Sequence, residues 1–339
     1  MKAEIKPRIN LEDRTRLEGV IPLSTPMVLF VDPASACNFE CTFCPTGHKD
    51  LIKETGRFVG RMKFEVFKKV IDDLAGFDKP IKVLRMYKDG EPLLNKDLAK
   101  MIAYAKQSGM VDYIDTTTNG SLMTPERMAP ILEAGLDKIN ISVDGMNREQ
   151  YLEFTHFDFD FDGFVENVKW LYANKGSCEI VIKIPKELIT EQQQEFLDVF
   201  GDYCDRISLE NFAPCWPEFD VEAKTGFTIT EGIYNQPITD TQTCPYIFYG
   251  MSVNADGLVS SCFLDWERKL IVGDVRTERV ADIWNSDKFN DLRLQHLKGK
   301  RSENPVCSNC GQLSHCLPDN IDPYQQVLLE RFKAHLAAK

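Results

Sequence analysis

The sequence predicts an α/β protein, a partial (β/α)6 TIM-type barrel over residues 26–212 followed by a small α+β unit over 244–318. Three observations predict it. Six short β-branched or apolar runs are separated by stretches with helical periodicity. That alternation stops near Phe212. Beyond Cys244, two apolar runs flank the turn Asn254-Ala255-Asp256-Gly257, and a helical stretch follows them.

The elements follow in order. The N-terminal extension, residues 1–25, alternates charged and polar residues and lacks the apolar stretch of a signal peptide. Strands are predicted at Val28–Asp32, Lys82–Tyr87, Tyr113–Thr118, Lys138–Val143, Glu179–Ile184 and Arg206–Phe212. Helices are predicted at Lys63–Ala75, Lys96–Ser108, Pro125–Ala134, Gly163–Asn174 and Glu191–Tyr203, each long enough to cross between parallel strands. Thr124 before Pro125 marks a helix start, because threonine caps and proline suits the first turn. Six units fall short of the eight that close a barrel, so an open barrel is expected, with its chemistry at the C-terminal strand ends. Pro214, Trp216 and Pro217 open an irregular connector over 213–243. Tyr246–Val253 and Leu258–Phe263 are expected to form a hairpin, and Val280–Leu297 a helix packed through Ile283, Trp284, Leu292 and Leu294. The C-terminal segment, residues 319–339, places Val327, Leu328, Phe332 and Leu336 at helical spacing and is expected to dock on the body.

Composition bounds the function. At 339 residues, 43% apolar and 27% charged, the chain is globular and long enough for about two domains. With 52 acids against 40 bases, a net charge of −12 excludes a broad basic footprint for nucleic acid or anionic membrane. No segment reaches the ~18 apolar residues of a membrane span, and a cytoplasmic location is expected. Eleven clustered cysteines in a reducing compartment point to metal rather than to disulfides.

Cys37, Cys41 and Cys44 follow the first predicted strand, which puts three soft thiolates on one loop at the barrel mouth. Three thiolates suit an iron–sulfur cluster with one open iron; zinc, completed by His48, is the alternative. This Cys-x3-Cys-x2-Cys spacing, with Phe43 before the last cysteine, resembles the hallmark of the radical S-adenosylmethionine (SAM) superfamily. Gly90-Glu91-Pro92 after the second strand resembles that family's Gly-Gly-Glu-Pro motif, with Asp89 in place of the first glycine. The strand ends Thr117-Thr118-Asn119-Gly120 and Ser142-Val143-Asp144-Gly145 resemble further family segments. The resemblance implies a [4Fe–4S] cluster on the three cysteines that binds SAM, with Phe43, Gly90, Glu91, Pro92, Asn119 and Ser142 as cofactor-binding candidates. Strand alternation adds Lys183, which would bind the cofactor carboxylate or an anionic substrate, or pair with a neighbouring strand. Arg85, Tyr87, Glu210 and Asn211 are substrate-pocket candidates.

Cys244 and Cys262 bracket the predicted hairpin, and Cys307-x2-Cys310 follows the helix, so four thiolates of one unit suit a tetrahedral S4 site. A zinc ribbon is the alternative. Behind such a core, the set resembles the twitch domain, a shortened SPASM domain, and implies one auxiliary [4Fe–4S] cluster. Cys316 continues the longer SPASM spacing, but Asn320 stands where its next cysteine belongs, so Cys316 is read as a relic, an alternative ligand or a buried thiol. Cys178, Cys204 and Cys215 are left over, and Cys178 reads as core.

The expected reaction is hydrogen abstraction by a 5′-deoxyadenosyl radical, leading to dehydrogenation of a small polyhydroxylated, carbohydrate-like or aminocyclitol-like substrate, with the auxiliary cluster accepting an electron. The resemblance implies a reducing partner such as flavodoxin or ferredoxin. Radical epimerisation, with Cys215 or Cys316 as hydrogen donor, and peptide or protein maturation are alternatives. Cys215 and Lys183 are the catalytic candidates. The reading of another class is a non-enzymatic zinc or electron-transfer protein.

Overall fold

The computed structural model of the chain describes residues 1–316 and 319–338; the expected end of the small unit at 318 and of the tail helix at 339 lie outside them. Its strands are β1 (Glu4–Ile5), β2 (Val28–Val31), β3 (Val83–Arg85), β4 (Ile114–Thr118), β5 (Lys138–Ser142), β6 (Glu179–Pro185), β7 (Arg206–Glu210), β8 (Gly250–Val253), β9 (Leu258–Ser260) and β10 (Ile271–Asp274). They form one sheet in the order β1-β7-β6-β5-β4-β3-β2-β8-β9-β10, parallel from β1 through β8 and antiparallel after it.

The six expected units are present, with crossover helices at Phe64–Asp73, Leu98–Ser108, Pro125–Glu133, Phe161–Asn174 and Gln193–Phe200. Apolar positions such as Ile139, Ile141, Ile180, Ile182 and Ile184 are fully buried in the main core. Several of their alternates are polar, although Val181 is not: register sets Asp115 beside Lys138 and Lys138 beside Glu179, and then Ser142 beside Lys183 and Lys183 beside Ser208. A parallel sheet covered on both faces is ordinarily apolar on both. This one keeps a polar concave face, which marks the chamber.

The structure departs from the expected elements in several places. Strand β1, inside the N-terminal extension, pairs Glu4 with Arg206 and Ile5 with Ile207; two residues in a polar run carry no periodicity, and the open edge of β7 supplies the pairing. Strand β8 extends the barrel on its other side, Val28 to Val31 matching Gly250 to Val253, while Tyr246–Tyr249 is a helical turn and not strand. The predicted helix Val280–Leu297 is two, Val280–Trp284 and Asp287–Leu297, because the Ser286 hydroxyl accepts the Phe289 N–H and starts the second. Short helices at Lys49–Thr55 and Arg148–Thr155 were not expected. In the tail helix Gln325–Ala337, Leu328, Leu329 and Phe332 are buried, whereas Val327 is 60% exposed and lies outside the docking face. Thr124 stands at the helix start, but its hydroxyl makes no backbone cap. Among the described residues no helix is long and apolar enough to cross a membrane.

Candidate functional site

The first cysteine loop leaves the end of β2 and is curled tightly. A side chain at Gly47 would press within 2.3 Å of the Cys41 carbonyl oxygen, so only glycine permits that curl. Cys37, Cys41 and Cys44 are free thiols, and each is an electrostatic neighbour of another. Burial, reinforced by nearby carboxylates and thiols, pushes Cys37 up to about 12 and Cys41 well above its usual range; burial also raises Cys44. Cys37 Sγ accepts from the Phe39 N–H at 3.5 Å and from the Asn119 amide at 3.9 Å. His48, the fourth ligand of a zinc reading, bonds the Thr42 carbonyl at 2.9 Å and packs on Phe219.

The Gly90-Glu91-Pro92 segment is locked against this loop. Glu91 N–H donates to the Ala36 carbonyl at 2.9 Å, and a Cβ at Gly90 would lie 2.1 Å from that same oxygen. The Glu91 carboxylate is buried and accepts from Leu93 N–H, Thr118 hydroxyl and Asn119 N–H at 2.9, 2.7 and 2.8 Å. It therefore ties the motif to the end of β4, and Pro92 starts the short turn that the carboxylate caps. Asn119 also bonds Asn38, at 3.1 Å. Ser142 and Lys183, side by side in register, have no side-chain hydrogen bond or ion pair among the described residues. Asp144 lies on the same strand end; burial raises its carboxyl to about 6, with Lys183 opposing. Phe43 packs in the second apolar cluster instead, its ring tilted at 46° to that of Phe212 with centroids 5.1 Å apart.

Asp89, in place of the motif's first glycine, has a structural use. Its buried carboxylate meets Lys88 Nζ at 2.9 Å, Arg57 Nη1 at 3.2 Å, and Arg268, which comes from the auxiliary unit. Burial alone would raise this carboxyl; Lys88, Arg268 and Arg57 outweigh it and hold the group well below the usual carboxylate range. Asp32, at the end of β2, faces the same cluster, and neither of its oxygens has a hydrogen-bond partner. Burial and the Asp89 charge raise it to about 7, against the three cations. A carboxyl raised in this way binds its proton more tightly folded than unfolded, so stability falls as pH rises from about 4 to 7 and the full cost remains above that. Asp32→Asn should therefore raise stability at pH 8 by on the order of 4 kcal/mol and leave it unchanged below pH 4. Urea unfolding of the two proteins at both pH values checks this, and equal midpoints at pH 8 would contradict it.

Cys244, Cys262, Cys307 and Cys310 are free and mutually interacting. Burial first, and then the other thiols, pushes Cys244, Cys262 and Cys307 well above the usual range, and burial carries Cys310 to about 11. Buried thiols crowded in this way ionise only against a cationic centre, which is what a metal cluster supplies. Among the described residues no three His, Cys, Asp or Glu side chains gather closely enough to hold a single metal ion.

Beside Cys215 lies a polar cluster whose main cation the sequence did not reveal. Arg8, just past β1, bonds Glu210 at 2.8 Å and is an electrostatic neighbour of Tyr234 and Tyr87. Strand β7 and the β3 end are separated by three strands, so a side chain near both spans the concave interior. Arg85 bonds Tyr87 at 2.7 Å and pairs with Asp115 at 3.1 Å. Cys215 and Cys316, from the connector and the C-terminal segment, are electrostatic neighbours. The neighbouring Cys316 thiol lowers Cys215 against burial, with Arg8 and Lys183 adding to it, and Cys310 Sγ lies 3.7 Å from the Cys215 carbonyl. Asn211, by contrast, bonds Gly232 and Asn235 in the connector and does not join the chamber. Cys178 and Cys204 are buried in the core, remote in role from both sets. No sequence signal marks Arg8: it belongs to no motif and sits next to a two-residue strand.

Comparison with known proteins follows this division. The pattern of the radical SAM superfamily matches residues 31–198, and that of the SPASM iron–sulfur cluster-binding domain matches 244–311. The chain is 23% identical over 289 residues to the S-adenosyl-L-methionine-dependent 2-deoxy-scyllo-inosamine dehydrogenase of Niallia circulans, covering 84% of this chain and 92% of that one. It is 22% identical over 329 residues to the AdoMet-dependent heme synthase of Methanosarcina barkeri, covering 85% and 91%. A shorter stretch of 126 residues is 35% identical to the Fe-coproporphyrin III synthase of the same archaeon and spans only 29% of it. In fold, the chain is similar to the crystal structure of BtrN in complex with AdoMet and 2-DOIA, with a TM-score of 0.56 at 19% identity, over 86% of this chain and 95% of that one.

Proposed function

Because the chain belongs to the radical SAM superfamily and is an enzyme that binds SAM, a [4Fe–4S] cluster and auxiliary iron–sulfur, we propose that it dehydrogenates a small polyhydroxylated substrate. When bound, the cofactors supply a 5′-deoxyadenosyl radical on one side of the chamber and an electron acceptor on the other. The trio Cys37, Cys41 and Cys44 would hold the first cluster, and Cys244, Cys262, Cys307 and Cys310 the second. The observation that carries this reading is the polar cluster in which Arg8 neighbours Glu210, Tyr87 and Tyr234, while Arg8 and Lys183 both neighbour Cys215, whose carbonyl lies 3.7 Å from Cys310 of the second set.

The residues of this chain do the positioning. Arg8 and Glu210 present a fixed donor and acceptor pair that suits vicinal hydroxyls, and Lys183 adds an unpaired cation near Asp144. Buried strand ends exclude water, which protects a reactive carbon radical. Full-length similarity to an aminocyclitol dehydrogenase supports this substrate class. A flavodoxin or ferredoxin would supply the priming electron. In the test, reconstituted enzyme is mixed anaerobically with dithionite, SAM and a panel of carbon-deuterated polyols and aminocyclitols. Deuterium in 5′-deoxyadenosine together with an equimolar ketone is expected; no transfer from any member would overturn the proposal.

One observation favours a second reading. The contact between Cys215 and Cys316 places a thiol in the chamber, and a thiol returns hydrogen to a carbon radical, as an epimerase requires. Under dehydrogenation, Cys215→Ala keeps turnover and product carries no solvent deuterium. Under epimerisation the wild type incorporates one solvent deuterium per turnover and the variant accumulates no epimer.

A further inference from the structure

Resting on the radical SAM membership above, we propose that Arg57 is a positioning residue that sets the reduction potential of the first cluster, by fixing a buried positive charge beside Cys44. Arg57 belongs to none of the motifs that the sequence marks, and its side chain is wholly inaccessible. A buried guanidinium needs acceptors for its fork of donors, and this one finds them in three separate parts of the chain. Nη2 donates to the Thr46 hydroxyl at 2.9 Å, two residues past Cys44. Nη1 donates to the Trp266 carbonyl at 3.3 Å, four residues past Cys262 in the auxiliary unit, and pairs with Asp89 at 3.2 Å. The charge is thus held at once from the cysteine loop, from the residue preceding Gly90 and from the second unit.

One donor of the fork is left over. Arg57 Nε is buried and has no hydrogen-bond partner among the described residues, and a buried donor of a charged group is costly to leave unpaired. The three thiols differ in what stands beside them. Cys37 and Cys41 have carboxylates and other thiols as electrostatic neighbours, whereas Cys44 has Arg57. Asp89 reaches Cys44 as well, but more weakly than Arg57 does, so the ion pair turns its positive end towards the sulfur. The Thr46 and Gly47 N–H groups favour the Cys44 thiolate in the same sense. A thiolate at Cys44, formed when the cluster binds, is the acceptor that the leftover Nε–H lacks. Net charge and hydrogen bonds to the sulfurs are what fix the potential of an iron–sulfur cluster. A nearby cation favours the reduced form, which carries one more negative charge, and so raises that potential. A side chain that only braced the loop would be replaceable by any other making the same bonds; one that sets a potential is not replaceable by a neutral one. The step it governs is uptake of one electron by the cluster from a reductant, dithionite in the test; no bond forms and no proton moves.

The test titrates the reconstituted full-length wild type, Arg57→Gln and Arg57→Lys potentiometrically with dithionite. Electron paramagnetic resonance follows the reduction, the first cluster being the signal that changes when SAM is added. Arg57→Gln should hold as much iron as the wild type, with its first cluster about tenfold less reduced at a fixed potential, a shift of about 59 mV to the negative side. Arg57→Lys, which keeps the charge and loses the fork, should recover most of that shift. A second measurement needs no variant to fold. Wild type grown with ¹⁵N-labelled arginine should show a weak ¹⁵N coupling in the pulsed spectrum of the reduced first cluster, from the Nε beside Cys44. Arg57→Gln with full iron and the wild-type potential would overturn the proposal, as would Arg57→Lys no closer to the wild type than Arg57→Gln. Absence of the ¹⁵N coupling in a wild type whose signal responds to SAM would overturn it too. A wild type with no SAM-responsive signal would instead overturn the radical SAM reading, and the role of Arg57 with it.

Discussion

Alanine at Cys41 removes the iron–sulfur absorption of the barrel and stops 5′-deoxyadenosine formation. Cys41 is buried among Cys37, Cys44 and Asp144, a setting in which its thiolate is tolerable only against positive charge. Loss of that sulfur leaves two ligands, too few for a cube that must also keep one iron open for SAM. Groups that only support metal ligands cost about 10–100-fold when removed, so the loss of a ligand is expected to exceed ~100-fold. Asn119→Ala, which deletes an amide directed at Cys37 Sγ, should fall within that supporting range. Cys178→Ala, a buried core thiol outside both sets, should leave the iron content unchanged. Iron and sulfide analysis with a 5′-deoxyadenosine assay separates the three; a Cys41→Ala protein with full iron and activity within a fewfold of wild type would refute the assignment.

Asparagine at Asp89 destabilises the folded chain by about 3–5 kcal/mol, the cost of removing one partner from a buried ionic group. The side chains of Asp89, Lys88 and Arg57 are wholly inaccessible and that of Arg268 nearly so. The three cations would then keep Asp32, with Asp265 near Arg268 as well; the Asp32 carboxyl is raised by burial and by the Asp89 charge itself. Removing Asp89 removes that repulsion, so Asp32 ionises more readily and recovers part of the loss. Asp89→Asn combined with Asp32→Asn should therefore lose more than Asp89→Asn alone at pH 8. Glycine at position 89 restores the family motif and yet destabilises, because the family's glycine carries no charge for Arg268 to meet. Urea unfolding monitored by circular dichroism reads these differences, and an Asp89→Asn midpoint equal to wild type would contradict them.

Much of the site was legible in the sequence because it is local. Three thiols within eight residues necessarily share one loop, and Gly90-Glu91-Pro92 and the strand ends follow strands whose alternation is plain. The four later thiols were recognisable from spacing around a turn. Spacing also misled where context decides: Tyr246–Tyr249 looks like strand and winds as helix, and Val327 shares a helical face in sequence that the body leaves exposed.

What the sequence by itself determined is the chemistry of two thiol sets and the alternating elements that carry the first of them, since both depend on neighbours a few residues apart. Only the tertiary structure decided the chamber. Arg8 meets Glu210 because an unpaired edge of β7 accepts a two-residue strand, and Cys215 meets Cys316 because the connector and the C-terminal segment pack together. Asp89 is neutralised by Arg268 from a separate unit. Contacts between residues about one hundred to two hundred positions apart are set by sheet register, open edges and burial, and no local spacing encodes those.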